Sequence, residues 1–286
     1  MRFGSLAEQR SRRDLLNERP FYWLATRDGL TKLWAAISLG VLLLIWLVFY
    51  FGILNSSRSK ADDFFGVAIF MSYGLHLIYK CLVAAEASRR LSDDRHSGAL
   101  ELLLATPLTP REIIRAQQDA VWDAFQWPRR LLVGVNLLLG WLMVGPNPMQ
   151  MPGEPLAVFC LILIGGIAML YLDTFALTRA GIWTALTTKR HTRAVLSTLG
   201  QVMLFPWLAV LLLFFMASLS RGMSVGTIEF FVSFWFVIGI VVDVVVGIGA
   251  DSKLRNHFRA AAAGVHGRPV SALDGLPSFA EEPAEA

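Results

Sequence analysis

The chain has 286 residues, of which 55% are hydrophobic and 17% charged, with a formal net charge of +4. A globular domain of this size rarely has that balance, and several apolar blocks reach the ~20 residues that a helix needs to cross a bilayer. Lys and Arg flank these blocks, so the positive charge does not indicate a nucleic-acid partner. Cys81 and Cys160 both lie inside apolar blocks, which argues against a disulfide framework. The composition therefore predicts an all-α polytopic membrane protein.

Residues 1–33 form a basic leader that we expect on the cytoplasmic side. Its arginines are followed by the aromatic run Phe21, Tyr22 and Trp23, just before the first apolar block. Aromatic and basic residues at such a position favour a helix that lies in the membrane interface. The alternative is an ordinary basic leader that only sets the topology. The charged start and the length of the first apolar block argue against a removable signal peptide.

Six membrane-spanning helices are predicted between residues 34 and 250. They cover residues 34–54, 64–85, a third segment that begins before Pro128 and ends near Gly145, 156–178, 195–217 and 227–250. Pro128 is expected to kink the third span. A basic inner loop is predicted at 179–193. Residues 251–286 are rich in Ala, Gly, Pro and Glu, and we expect a largely disordered cytoplasmic tail there.

The distribution of basic residues predicts the orientation. With both termini in the cytoplasm, the inner segments hold 22 of the 26 Lys and Arg residues, and the outer loops hold only Arg58, Lys60 and Arg221. The positive-inside rule then predicts a multi-pass protein of the cell (inner) membrane, with both termini cytoplasmic. The first inner loop lies between spans two and three.

That first inner loop, residues 89–117, has the most distinctive pattern in the chain. A short amphipathic helix is predicted behind Ser97-Gly98 and ends at Thr106-Pro107. A second helix is predicted to begin at Thr109-Pro110, with Thr109 as its N-cap and Glu112 completing a capping box. Two short helices on the inner face of a membrane protein suit a surface that is contacted by a soluble partner.

No catalytic or metal-binding motif is found in the sequence. The P-loop pattern and HExxH are absent, and the five histidines show no metal-ligand spacing. Lys80, Asp173 and Asp243 are charged and fall within predicted spans. Asp243 belongs either to a substrate or proton path or to a structural tie with a base such as Lys80 or Arg179. The tie is favoured, because no second acid lies nearby in the same helix.

Residues Ser97 to Ile113, SGALELLLATPLTPREI, resemble the SGTLELLLATPLSPREI signature of permease subunits of type-2 ABC transporters. The match is nearly continuous over 17 positions. Ala99 replaces the usual Thr, and Gln117 stands near where many relatives have Gly-Lys. Elsewhere the resemblance is only architectural: a leader like the family's interfacial elbow helix, six spans and a second inner loop.

The resemblance implies a transporter subunit that is not itself an enzyme. In this family two six-helix permeases, identical or sister chains, each dock on a separate ATP-binding subunit that carries ATP and Mg, and they export substrates by alternating access. The first inner loop is the coupling helix against that subunit. The implied contact residues are Ser97, Gly98, Leu100, Glu101, Leu103, Leu104, Thr106 and Pro107. The implied flanking contacts are Glu86, Arg89, Arg90, Arg95 and Glu112.

Two other functions remain open at this stage. One is a permease-like subunit that no longer transports and instead anchors or regulates an ATPase complex. The other is an intramembrane enzyme, which the scattered acids and histidines disfavour. The identity of the substrate cannot be read from the residues.

Overall fold

The computed structural model describes residues 22, 29–55, 58–144, 156–188, 190–219 and 227–262. Every regular element in these ranges is helical, which confirms the all-α class. The helices are α1 (Gly29–Asn55), α2 (Arg58–His96), α3 (Ala99–Leu104), α4 (Pro110–Ala124), α5 (Gln126–Val144), α6 (Leu156–Thr187), α7 (His191–Leu199), α8 (Phe205–Leu219) and α9 (Thr227–Ala262). A π-helical segment, Gly200–Leu204, joins α7 to α8.

Three helical stretches of the described chain are long and apolar enough to cross a membrane. They are Cys160–Thr187, His191–Met216 and Ser233–Ala262, and they coincide with the last three predicted spans. A shorter apolar stretch, Leu39–Gly52, lies in α1 where the first span is predicted. The full set of six spans stays a prediction. The predicted interfacial helix lies outside the described residues except for Tyr22, whose hydroxyl donates to the Asp123 carboxylate of α4.

Helices α6 and α9 make the most extensive contact between helices of the described chain, and they run parallel to each other. Glycines let them approach closely, because a Cβ at Gly165 would lie 2.7 Å from the Phe236 ring and one at Gly247 would collide with the Phe175 ring. Further along both helices, Arg179 pairs with Asp251 at 3.3 Å. Small residues at such contacts are the usual means by which membrane helices pack without a hydrophobic driving force.

Helix α2 is far longer than the predicted second span. It has 39 residues and continues from the predicted end near residue 85 to His96. At 1.5 Å per residue it is about 58 Å long, which exceeds the hydrocarbon thickness. The charged start of the first inner loop is therefore helical. The chain then turns at Gly98, whose φ of +74° favours glycine, and enters α3.

Helices α6 and α9 also continue beyond their predicted ends. Residues 179–187, predicted as a basic loop, complete α6, and residues 251–262, predicted as the start of a disordered tail, complete α9. The reason is burial: Leu254, Phe258 and Ala261 recur at helical spacing on one face of α9 and are almost fully buried. The helix therefore continues past residue 250, where the last span was predicted to end, and residues 263–286 lie outside the described chain.

Two prolines lie just after interruptions of the regular α-helix. The disturbance predicted at Pro128 takes the form of a break rather than a bend: the helix is interrupted at Phe125, between α4 and α5, and Pro128 falls in the first turn of α5. A proline costs little there, since the first-turn N–H groups have no intrahelical partner. Pro206 instead follows the π-helical segment Gly200–Leu204. Its missing N–H and its ring disturb the regular hydrogen bonds of the preceding turn, which accounts for the π segment.

The capping box predicted at the start of α4 is confirmed. The Glu112 N–H donates to Thr109 Oγ1 at 3.3 Å, and the Thr109 N–H donates to Glu112 Oε2 at 2.8 Å. This second bond, from the Thr109 backbone, is the main cause that lowers the pKa of Glu112 below its usual value, and the Thr109 hydroxyl adds to it.

The pH dependence of this cap can be tested with Glu112→Gln. A carboxylate whose pKa is lowered by folding stabilises the fold above its unfolded pKa, and that stabilisation is lost as the pH falls through the folded value. We expect Glu112→Gln to lower the thermal unfolding midpoint at neutral pH and to equal the parent in acid. Thr109→Ala is the control, because it removes the hydroxyl acceptor and should cost about 1 kcal/mol. An equal loss for Glu112→Gln at both pH values would contradict the assignment.

Candidate functional site

Helix α3 is anchored to the rest of the protein by Leu100, which is 1% exposed. Leu103 and Leu104 are half-buried and pack beside it. We call the apolar group that contains Leu100 the cytoplasmic cluster, after the orientation predicted from the sequence; its buried members are Leu91, Leu100, Ile113, Ile114, Ile182, Ala185, Leu186, Leu254, Phe258, Ala261 and Ala262. These residues come from α2, α3, α4, α6 and α9, so a six-residue helix is fixed to the ends of four others.

The opposite side of α3 is exposed. Leu102 is 73% exposed, and Thr106 and Pro107, just after the helix, are exposed as well. Ser97 is exposed at the other end, whereas Gly98 is half-buried. The side chain of Glu101 lies outside what the structure describes. The residues implied by the resemblance therefore divide into an inner set around Leu100 and an outer set that a partner could contact.

Leu102 was missed in the sequence analysis, although the signal was present. Leu100, Leu103 and Leu104 share one face of a helix at i, i+3 and i+4, which places position 102 on the opposite face. A short helix with one apolar stripe buries that stripe in its own protein. An apolar residue on the other face is then the better candidate for a contact with a second protein.

The predicted flanking contacts make bonds within the chain. Arg90 Nε donates to Glu86 Oε1 at 2.8 Å, and Arg89 Nε donates to Glu86 Oε2 at 3.2 Å. Arg95 Nη1 donates to the carbonyl oxygen of Leu186 at 2.8 Å and so caps the C-terminus of α6. The Arg95 bond joins α2 to α6, whereas the bonds of Arg89 and Arg90 to Glu86 lie within α2 and the capping box of Glu112 lies at the start of α4.

The charged residues of the predicted spans form a second group inside the bundle. Lys80 Nζ of α2 lies 2.6 Å from Asp173 Oδ2 of α6, and both side chains are buried. Asp243 of α9 is 1% exposed, and neither of its carboxylate oxygens has a hydrogen-bond partner among the described residues. The predicted tie of Asp243 to Lys80 or Arg179 is not formed, since Lys80 pairs with Asp173 and Arg179 with Asp251.

A row of polar contacts continues from Lys80 along α2. His76 Nε2 lies 3.2 Å from Asn136 Nδ2 of α5, and the Tyr79 and Thr174 hydroxyls are 3.2 Å apart. Each contact joins α2 to a different neighbour, which satisfies polar groups where water is excluded. The row therefore ties α2 to both α5 and α6.

The two arginines of the predicted third span lie in different surroundings. Arg129 is buried, with its guanidinium 4.3 Å from the Trp122 ring centroid and 5.4 Å from that of Tyr171. Arg130 is exposed and lies over Trp127 at 5.4 Å. Cation–π contacts of this kind stabilise an arginine that has left bulk water.

Within the described ranges no group of three or more His, Cys, Asp or Glu side chains could hold a metal ion. Comparison of the chain with protein-family models, with curated proteins and with solved structures found no match.

Proposed function

We propose that this chain is the permease subunit of a type-2 ABC transporter of the inner membrane. In this proposal it pairs with a second permease, the same or a sister chain, and exports a substrate by alternating access. A separate ATP-binding subunit, which holds ATP and Mg, docks on α3. The observation that carries the proposal is the geometry of α3: Leu100 is buried in the protein while Leu102, two residues later, is exposed.

This geometry suits the transmission of force from a soluble partner. The cytoplasmic cluster joins α3 to the inner ends of α2, α4, α6 and α9. Because a packed apolar core has low compressibility, a displacement of α3 is passed to those ends rather than absorbed. Three of the four helices also hold the intramembrane charges, since Lys80 is on α2, Asp173 on α6 and Asp243 on α9.

The exposed side of α3 determines the kind of surface that a partner must present to it. Leu102, Thr106 and Pro107 present an apolar and weakly polar tip that carries no formal charge. A matching surface is a shallow apolar pocket on the ATP-binding subunit, in which one leucine serves as the buried anchor. The polar residues Arg89 and Asp93, which lie near the end of α2, supply a solvated rim.

Affinity purification of the tagged protein in mild detergent, followed by mass spectrometry, tests the proposal. We expect an ABC-type ATP-binding protein to copurify with the parent and to be lost with Leu102→Asp, because the change places a charge in an apolar contact. Ser252→Asp is the matched control, since it adds the same charge to an exposed position near the cytoplasmic end of α9.

Three results would decide against the transporter. If no ATP-binding protein copurifies with the parent, the proposed transporter has no subunit to supply its energy. Equal recovery with Leu102→Asp and the parent places the contact elsewhere than on α3. A reconstituted complex whose ATP hydrolysis is stimulated while no substrate moves would identify a non-transporting anchor instead.

A further inference from the structure

Asp243 is a buried carboxylate for which the described chain provides no direct partner. It lies on α9 in the stretch Ser233–Ala262, one of those able to cross a membrane. Both of its oxygens are buried and without a hydrogen bond, and the side chain is 1% exposed. An ionised carboxylate is costly at such a place unless a counter-charge neutralises it. A positive charge must therefore neutralise the Asp243 carboxylate.

The register of α6 against α9 places Asp243 beside Asp173. Toward the outer side, a Cβ at Gly239 would meet the Met169 side chain, and toward the cytoplasm one at Gly247 would lie 3.5 Å from the Ala176 Cα. Asp243 lies one turn from each glycine, and Asp173 lies between Met169 and Ala176 on the facing helix. Asp243 is also within electrostatic range of both Asp173 and Lys80.

The charges in this layer do not balance. Lys80 of α2 supplies one positive charge, and Asp173 and Asp243 supply two carboxylates. Arg179 lies two turns further along α6 and is engaged by Asp251, while His76 lies one turn outward on α2 against Asn136. The buried Arg129 of α5 lies over the Trp122 and Tyr171 rings, and Lys80 is the cation that acts on both carboxylates. The π-helical segment and α8 contain no titratable side chain, and α3 and α4 meet α9 at the cytoplasmic cluster, about three turns away.

The packing of this layer limits what can supply the missing positive charge. Gly239 and Gly247 are in contact with α6 on both sides of Asp243, so no helix separation is left there for an organic cation. A proton needs no such space. We propose that Asp173 and Asp243 form an intramembrane carboxylate pair that holds one proton, with Lys80 as the counter-charge of the remaining carboxylate. This site is additional to the proposed transport function and does not depend on the ATP-binding partner.

Infrared spectroscopy of the purified chain tests the proton directly. A protonated carboxylic acid has a C=O stretching band that is separate from the carboxylate bands and shifts in D2O. We would record it at neutral pH in a maltoside detergent, whose molecules carry no carbonyl group. The parent is expected to show one such band. Asp243→Asn should remove it, and so should Asp173→Asn, because Lys80 then pairs with the only acid left.

Two further variants make the test decisive. Asp251→Asn is the matched control, because it changes an acid of the same helix outside the pair, and it should leave the band unchanged. Asp243→Glu keeps an acid and should keep a band, which separates loss of the proton from loss of the fold. The proposal is overturned if the parent shows no acid band. It is equally overturned if the band survives both asparagine variants, or if replacing potassium by sodium in the buffer abolishes it.

Discussion

Leu100→Asp is expected to unfold the part of the protein around the cytoplasmic cluster. Leu100 is 1% exposed and belongs to this cluster, whose other members come from four other helices. Truncating such a leucine to alanine costs roughly 2–5 kcal/mol. A carboxylate at the same place adds the penalty of a buried unpaired charge. The loss should therefore exceed that of alanine and approach the whole stability of an ordinary domain, about 5–15 kcal/mol.

Leu102→Asp is the matched variant, because it makes the same substitution on the same six-residue helix. Leu102 is 73% exposed, so its replacement should change the free energy of unfolding by less than about 0.5 kcal/mol. Equilibrium unfolding in mixed micelles measures both variants. A similar loss of stability for the two would mean that α3 is not anchored by Leu100. If Leu100→Asp loses stability and Leu102→Asp loses partner binding, one face of α3 anchors the helix in the protein and the other face contacts the partner.

The sequence allowed the local features of the first inner loop to be predicted. Thr109, Pro110 and Glu112 define a capping box whose bonds form between residues three apart, so no tertiary information is needed. The two sides of α3 follow in the same way from the spacing of Leu100, Leu103 and Leu104. The all-α class was predictable because apolar blocks of this length form helices to satisfy their backbone in lipid.

The features that the sequence analysis did not predict correctly depend on tertiary contacts. The ends of α6 and α9 depend on the cytoplasmic cluster, where Ile182 and Phe258 become buried only once several helices meet. The surroundings of Asp243 depend on the register of α9 against α6, which is set by glycine contacts. Asp173, which interacts electrostatically with Asp243, lies about 70 residues earlier in the chain on the neighbouring helix, so the sequence around Asp243 does not reveal it.

Lys80→Met is expected to produce the largest loss inside the membrane. The substitution keeps much of the volume of the side chain but leaves Asp173 and Asp243 with no positive charge. Breaking a buried ion pair by removing one partner costs about 3–5 kcal/mol. The double variant Lys80→Met/Asp173→Asn should recover most of that loss, because only Asp243 then remains and it keeps its proton. Unfolding in mixed micelles, with all variants at neutral pH, gives the comparison.

Asp173→Asn completes this cycle and distinguishes a carboxylate pair from a simple ion pair. In a simple pair, removing either partner leaves one buried charge, and the two single variants should lose similar stability. With Asp243 beside Asp173, Lys80 retains an acid to pair with when Asp173 is replaced. Asp173→Asn is therefore expected to cost clearly less than Lys80→Met. Adding Asp243→Asn to Asp173→Asn should then bring the loss up to that of Lys80→Met, because Lys80 is left without any carboxylate. Equal losses for the two single variants would show that Asp243 does not replace Asp173 as the partner of Lys80.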